Sequence, residues 1–264
     1  MKYYDAIINI INKVKRDKIF VYASHTSFYI LISAIPFITL SFLTINFFLS
    51  IDEKNIINII IPFFPDVVQS DAKKIIQETI QNISTRILSF SLFSVLWSSS
   101  RGISAIRRGL RQIYSLKEIS FIKDLLYSIL YLFFIMIIVF VFLLISILPS
   151  LYFPRFFVYF IGFISFILLF TTIYYMFTER NFSFKYHLPG SIAASLFWIL
   201  FIRVFSFYIK YFSNYSYIYG SITTILILAL WIYFSTIIFL LGAELNSIIY
   251  TRSLNKKKTK KELL

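Results

Sequence analysis

The chain has 264 residues; 59% are hydrophobic and only 14% are charged, and the mean hydropathy is +0.80. That balance excludes a water-soluble globular domain, which carries far more charge, and the absence of cysteine excludes disulfides and thiolate metal sites. The formal net charge of +14 would suit nucleic acid, but in so apolar a chain the first question is on which side of a membrane the Lys and Arg lie.

In chain order, Tyr4, Ile7, Ile8, Ile11 and Val14 recur at helical spacing, with Lys2, Lys13 and Arg16 on other faces. This predicts an amphipathic helix that lies on the membrane surface or packs on its own bundle. No short apolar stretch with a small-residue cleavage site is seen there, so no cleaved signal peptide is expected. Residues 28–49 are uncharged and form the first span. Pro36 near its middle removes one backbone hydrogen bond, which is tolerated where neighbours satisfy the freed carbonyl. Residues 50–86 make the longest polar connection. Val68, Ala72, Ile75, Ile76, Thr79 and Ile83 give it a helical stripe, and Pro62 and Pro65 punctuate its start.

Residues 87–100 are uncharged but too few to span alone; extended to 106, the run holds Arg101 as its only charge. Spans at 125–148, 156–178 and 188–209 follow, with short connections that make them antiparallel neighbours. The turn signal Tyr219-Gly220-Ser221 then opens a run, 222–241, of twenty uncharged residues. At about 1.5 Å per residue it matches the roughly 30 Å hydrocarbon core. Charge and amide return together at Glu244 and Asn246, and a basic tail, 251–264, ends the sequence. The expected fold is all-α: a polytopic transmembrane bundle of six spans (28–49, 87–106, 125–148, 156–178, 188–209 and 221–246) in one membrane domain, 1–250. Amphipathic surface helices are expected at the N-terminus and in the first external connection.

Three blocks carry a family likeness together with this last span. YGSI at 219–222, Trp231 and LLGAELN at 240–246 resemble the last span of the YihY/virulence factor BrkB family. WSSSRGISAIRRGLRQIY at 97–114 and the Pro189-Gly190 that opens the preceding span match in order. FYILISAIPFITL at 28–40, interrupted by Pro36, resembles the family's first span. The resemblance covers roughly 20–250 and implies a six-span bacterial cytoplasmic-membrane protein. In that reading Pro36, Gly102, Pro189, Gly190, Tyr219, Gly220, Gly242 and Asn246 are structural motif positions. It implies no settled biochemical activity. Six spans with the N-terminus inside put nineteen Lys and Arg on the cytoplasmic side and six outside; dropping the second span gives eighteen against seven. Charge alone hardly separates the two, and the resemblance decides for six spans with both termini cytoplasmic.

The family has carried a ribonuclease label, which makes an enzyme the rival class. Metal-dependent hydrolysis needs several ligands converging on one site. The two histidines, His25 and His187, sit at the edges of different spans with no second ligand at spacing, and read as interface residues. No HExxH, no G-x-S-x-G and no phosphate loop is present. No enzyme activity, metal or cofactor is therefore expected. Charge inside the membrane is the remaining signal. Arg101 and Arg203, with Ser98, Ser99 and Ser100 beside the first and Ser206 and Tyr208 near the second, are candidates for a polar site shared in one cavity. Glu244 is nearest in depth to Arg107 and Arg108, and an ion pair among them would tie the last span to the second. Two function classes stay open: transport or export of a small or anionic solute or of lipid, and a non-catalytic scaffold for envelope assembly or surface resistance. The expected partners are membrane lipids, their anionic headgroups drawn to the basic N-terminus and tail. A second copy of the chain is the other partner considered, and nucleic acid is not expected.

Overall fold

The computed structural model describes residues 10–49, 57, 61, 66–81, 88–117, 119–152, 154–178, 183–212 and 221–262. Every regular element among them is helical. A leading helical segment, 10–16, precedes α1 (Ile19–Leu49), α2 (Asp66–Gln81), α3 (Leu88–Ile113), α4 (Phe121–Tyr152) and α5 (Arg155–Phe177). A single 3₁₀ turn (Phe184–Tyr186), α6 (Leu188–Phe212) and α7 (Ser221–Glu262) complete the order. The turn expected at Tyr219 and Gly220 lies outside the described residues. Four stretches of the described chain are long and apolar enough to cross a membrane: Phe121–Ile138, Phe160–Phe177, Phe184–Lys210 and Ile225–Ser253. In α1 the apolar stretch Ile19–Ala34 is shorter. Many large side chains that face away from the bundle are apolar, Phe156 at 75% and Phe207 at 63% exposure among them. An apolar solvent is the environment in which such a surface is stable.

The helix boundaries have local causes. Lys18 takes the left-handed conformation (φ 51°) that turns the chain from the leading segment into α1. Ser115 does the same after α3 (φ 52°), and the Leu116 N–H donates to the Arg111 carbonyl at 2.9 Å, a Schellman closure. Pro154, with φ −58° and no N–H to leave unpaired, precedes α5. Pro36 is carried inside α1, which runs on unbroken to Leu49. On α2, Ala72 and Ile76 are buried while Lys73, Lys74 and Glu78 are exposed, the two-faced pattern of the sequence stripe. The basic tail continues α7 as helix to Glu262.

Packing places α3 at the centre. It runs antiparallel to α1: Tyr22 lies by Gly109, Thr26 donates to the Ala105 carbonyl at 3.2 Å, and Ser33 lies against Gly102. Against α4 the contacts gather near its start. Trp97 and Arg101 meet Phe121, Ser104 and Arg107 meet Asp124, and Arg107 meets Tyr131. The polar stretch 101–124 thus holds the end of α3 and the start of α4, joined by Ser104 and Arg107 to Asp124. The later helices pair antiparallel as expected. Tyr131 packs on Phe177 (5.0 Å between ring centres), Phe170 on Trp198 (5.6 Å) and Trp198 on Trp231 (6.1 Å).

Candidate functional site

Where these helices diverge they leave a half-open cavity of about 360 Å³. Ile30, Ser33, Ala34 and Phe37 line it from α1, and Ser99, Gly102, Ile103 and Ile106 from α3. Ile135, Phe170, Ile173 and Trp198 close it from α4, α5 and α6; Trp231, Ile232, Ser235, Thr236 and Phe239 do so from α7. Among the described residues no lining residue carries a charge. Gly102 sets the wall between α1 and α3, since a Cβ there would run into the Ser33 hydroxyl. Two of the lining hydroxyls are satisfied by their own helices: Ser33 donates to the Ile30 carbonyl at 3.2 Å and Thr236 to the Ile232 carbonyl at 2.8 Å. The buried Oγ atoms of Ser99 and Ser235 have no hydrogen-bond partner. Both serines stand in the cavity wall, and a buried unpaired hydroxyl is costly.

The two arginines expected to share a cavity do not. Arg101 points away from it, its guanidinium 4.3 Å from the Trp97 ring centre and 5.0 Å from that of Phe121. Trp97 precedes Arg101 by four residues, one turn of the same helix, so the stacking is local. Arg203 is exposed on the outer face of α6 beside Leu200, Val204 and Phe207. Among the neighbouring serines the cavity takes Ser99; Ser98 is half-buried, and Ser100 donates to the Trp97 carbonyl at 2.8 Å.

The expected pairing of Glu244 with Arg107 or Arg108 is likewise replaced. Glu244, 1% exposed, accepts from Lys13 Nζ at 2.5 Å, and Lys13 also donates to Asp17 at 2.7 Å. Arg16 completes this group at 3.2 Å from Asp17. The leading segment folds back onto α7, a contact across 231 residues that no local pattern announces. Arg107 instead binds Asp124, at 2.8 Å from its carboxylate and 3.1 Å from its backbone carbonyl, and reaches Ser128 at 3.3 Å. Ser104 donates to the other carboxylate oxygen. Burial pushes the Arg107 guanidinium below its ordinary value, and the Asp124 carboxylate opposes that loss. Asp124 was readable as the acid that opens an apolar helix, but its partner was not. Beyond the leading segment a second cavity, about 510 Å³, is lined by Lys13, Arg16, Ser115, Ser247, Thr251 and Arg252 among others.

The motif residues of α6 and α7 form a clamp. A Cβ on Gly190 would strike the Gly242 carbonyl, and one on Gly242 would lie 2.6 Å from the Tyr174 hydroxyl and 2.8 Å from Ala194. Across this close crossing, Asn246 Oδ1 accepts from the Gly190 N–H at 2.7 Å and its Nδ2 donates to the His187 carbonyl at 3.0 Å. One amide thus satisfies two helix-start groups. Pro189 occupies the first turn of α6, where a missing N–H costs nothing. His187 is buried between Thr178 (3.2 Å) and Tyr114 (3.5 Å), and Tyr174 donates to the Phe239 carbonyl at 2.6 Å. His187 is therefore an interface residue. Among the described residues no three His, Asp or Glu side chains come together as a metal site.

Comparison with known sequences gives the same frame. The profile of a family described as Virulence factor BrkB matches residues 10–263. A Bacillus subtilis (strain 168) protein named as ribonuclease-like, YfkH, is 30% identical over 251 residues, 87% of this chain and 90% of its own length. A UPF0761 membrane protein of Pseudoalteromonas atlantica (strain T6c / ATCC BAA-1087) is 26% identical over 259 residues, 90% of this chain and 84% of its own. Another, from Pseudoalteromonas translucida (strain TAC 125), reaches 41% over 91 residues, 34% of this chain and 29% of its own. No solved structure matches.

Proposed function

We propose, from the premise that the chain belongs to the virulence factor BrkB family, that this membrane protein moves a lipid-like molecule across the bilayer through its central cavity. The carrying observation is the chemistry of that cavity: among the described residues its walls are apolar and uncharged, with the side chains of Ser33, Ser99, Ser235 and Thr236 as the polar exceptions. Such walls favour an apolar body bearing a hydrogen-bonding group over a small anion, whose desolvation nothing there would offset. In this reading the protein has six spans with both termini cytoplasmic, in a bacterial cytoplasmic membrane. The ribonuclease reading finds no support, since the buried acids Asp17, Asp124 and Glu244 are engaged by Lys13, Arg16 and Arg107.

The test is reconstitution of the full chain into phosphatidylcholine vesicles carrying a headgroup-labelled fluorescent phospholipid. Transbilayer movement is read as the fraction of label that an impermeant quencher reaches. The wild type is expected to speed that movement, and Ser99→Leu with Ser235→Leu, which fill the cavity, to abolish it without loss of folded protein. Unaccelerated movement with the wild type, or unchanged movement with the filled cavity, sinks the transport reading in favour of the scaffold.

A further inference from the structure

We infer that the face of α3 bearing Ser104, Arg108 and Arg111 is a phosphate-binding site. Residues 104, 108 and 111 follow one another at four and three positions, so they form one ridge on the helix. The local charge is unbalanced. Among the described residues the carboxylate beside Arg107 and Arg108 is Asp124, which is already engaged by Arg107 and Ser104. Arg108 holds Ser104 Oγ at 3.0 Å through one terminal nitrogen, while its Nε stays 3.9 Å from Asp124, beyond hydrogen-bond reach. The Nε atoms of Arg108 and Arg111 are both buried and without an acceptor. A guanidinium cannot deprotonate to escape, so each N–H stands as a donor awaiting a partner. His25 of α1 lies within the field of Arg108 and presents a third orphaned nitrogen, Nδ1. The Arg108 side chain is 42% exposed, so the ridge is open to a ligand.

A tetrahedral oxyanion answers this arrangement, because paired N–H groups of a guanidinium match two oxygens of a phosphate. The depth suits a headgroup. Tyr114, just past the end of α3, reaches His187 beyond Phe177, where the apolar stretch of α5 ends. Arg111 is about 5 Å along the helix from that level and Arg108 about 9 Å. The site is separate from the central cavity and stands or falls independently of the transport reading.

Its test uses the purified full chain in detergent, with binding of phosphatidylglycerol, phosphatidylcholine and inorganic phosphate each measured. The wild type is expected to prefer phosphatidylglycerol to phosphatidylcholine. Arg108→Gln with Arg111→Gln should weaken that binding at least about tenfold, the scale of one charge-assisted hydrogen bond. Arg108→Lys with Arg111→Lys should fall between, and Arg203→Gln, as an exposed control, should match the wild type. Inorganic phosphate bound with the same dependence on both arginines assigns the site to a soluble phosphate compound rather than a lipid. A wild type that binds neither probe, or a double Gln variant that binds as the wild type does, overturns the site. Ser99→Leu with Ser235→Leu should keep this binding, so failure of the cavity and failure of the ridge are told apart.

Discussion

At Gly190 an added methyl group meets the Gly242 carbonyl, and at Gly242 it meets the buried Tyr174 hydroxyl, Ala194 and the Gly190 carbonyl. Gly190→Ala or Gly242→Ala is expected to cost roughly 1–3 kcal/mol, the overpacking range, read as a lowered midpoint of unfolding in detergent. Gly162, with nothing near its virtual Cβ, is the matched control: Gly162→Ala should be neutral or stabilising. Equal losses at all three positions would show that helix crossing is not what the clamp glycines serve. The Lys13–Glu244 contact makes a sharper prediction. Lys13→Met or Glu244→Gln alone strips a partner from a buried charge or leaves an orphaned donor, and should destabilise by roughly 3–5 kcal/mol. The double variant should lose much less than the sum. Additive losses would mean that the two side chains do not touch.

Among the elements α3 departs furthest from a simple span, and its arginines differ in how they are held. Arg101 lies on two aromatic rings, Arg107 is tied to a buried carboxylate, and Arg203 of α6 faces outward. The ranking follows from what each leaves behind. Arg107→Gln abandons Asp124 and should cost several kcal/mol. Arg101→Gln should cost about 0.5–1 kcal/mol of ring contact, and Arg203→Gln should stay within about 0.5 kcal/mol. Unfolding of the three variants under one condition tests the order, and an Arg203→Gln loss as large as that of Arg107→Gln would contradict it. The helices themselves were legible, because long uncharged runs, Pro189 and the Gly242 motif act through local chain physics. The partners of Arg107 and Glu244 were not. Depth along the membrane normal ranks candidates by height, and says nothing of azimuth around the bundle or of a segment folding back beneath it. Ser99 was legible as a serine beside a charge. That Ser99 stands in the cavity wall while Ser100 turns to its own helix depends on the roll of α3 against α1.

For the whole molecule the proposed orientation rests on the distribution of charge, nineteen Lys and Arg against six across the proposed six-span frame. An alkaline-phosphatase fusion after Leu264 is expected to be inactive, and one in the 50–86 connection active; activity at the tail would reverse the proposed orientation. The sequence pattern carried the all-helical membrane class and the antiparallel order of α4, α5 and α6. It left open how α3 runs beside α4, since only contact order reveals that. The clasp between Lys13 and Glu244 also bears on biosynthesis. Residue 13 leaves the ribosome 231 residues before its partner, a wait of roughly ten to fifty seconds at ordinary elongation rates. Throughout that wait Lys13 and Asp17 have only each other and Arg16, and the first helix lacks its final neighbour. A chain that stalls or is cut before Glu244 therefore presents an unclosed charged end, a mark by which membrane quality control can tell an unfinished copy from a finished one.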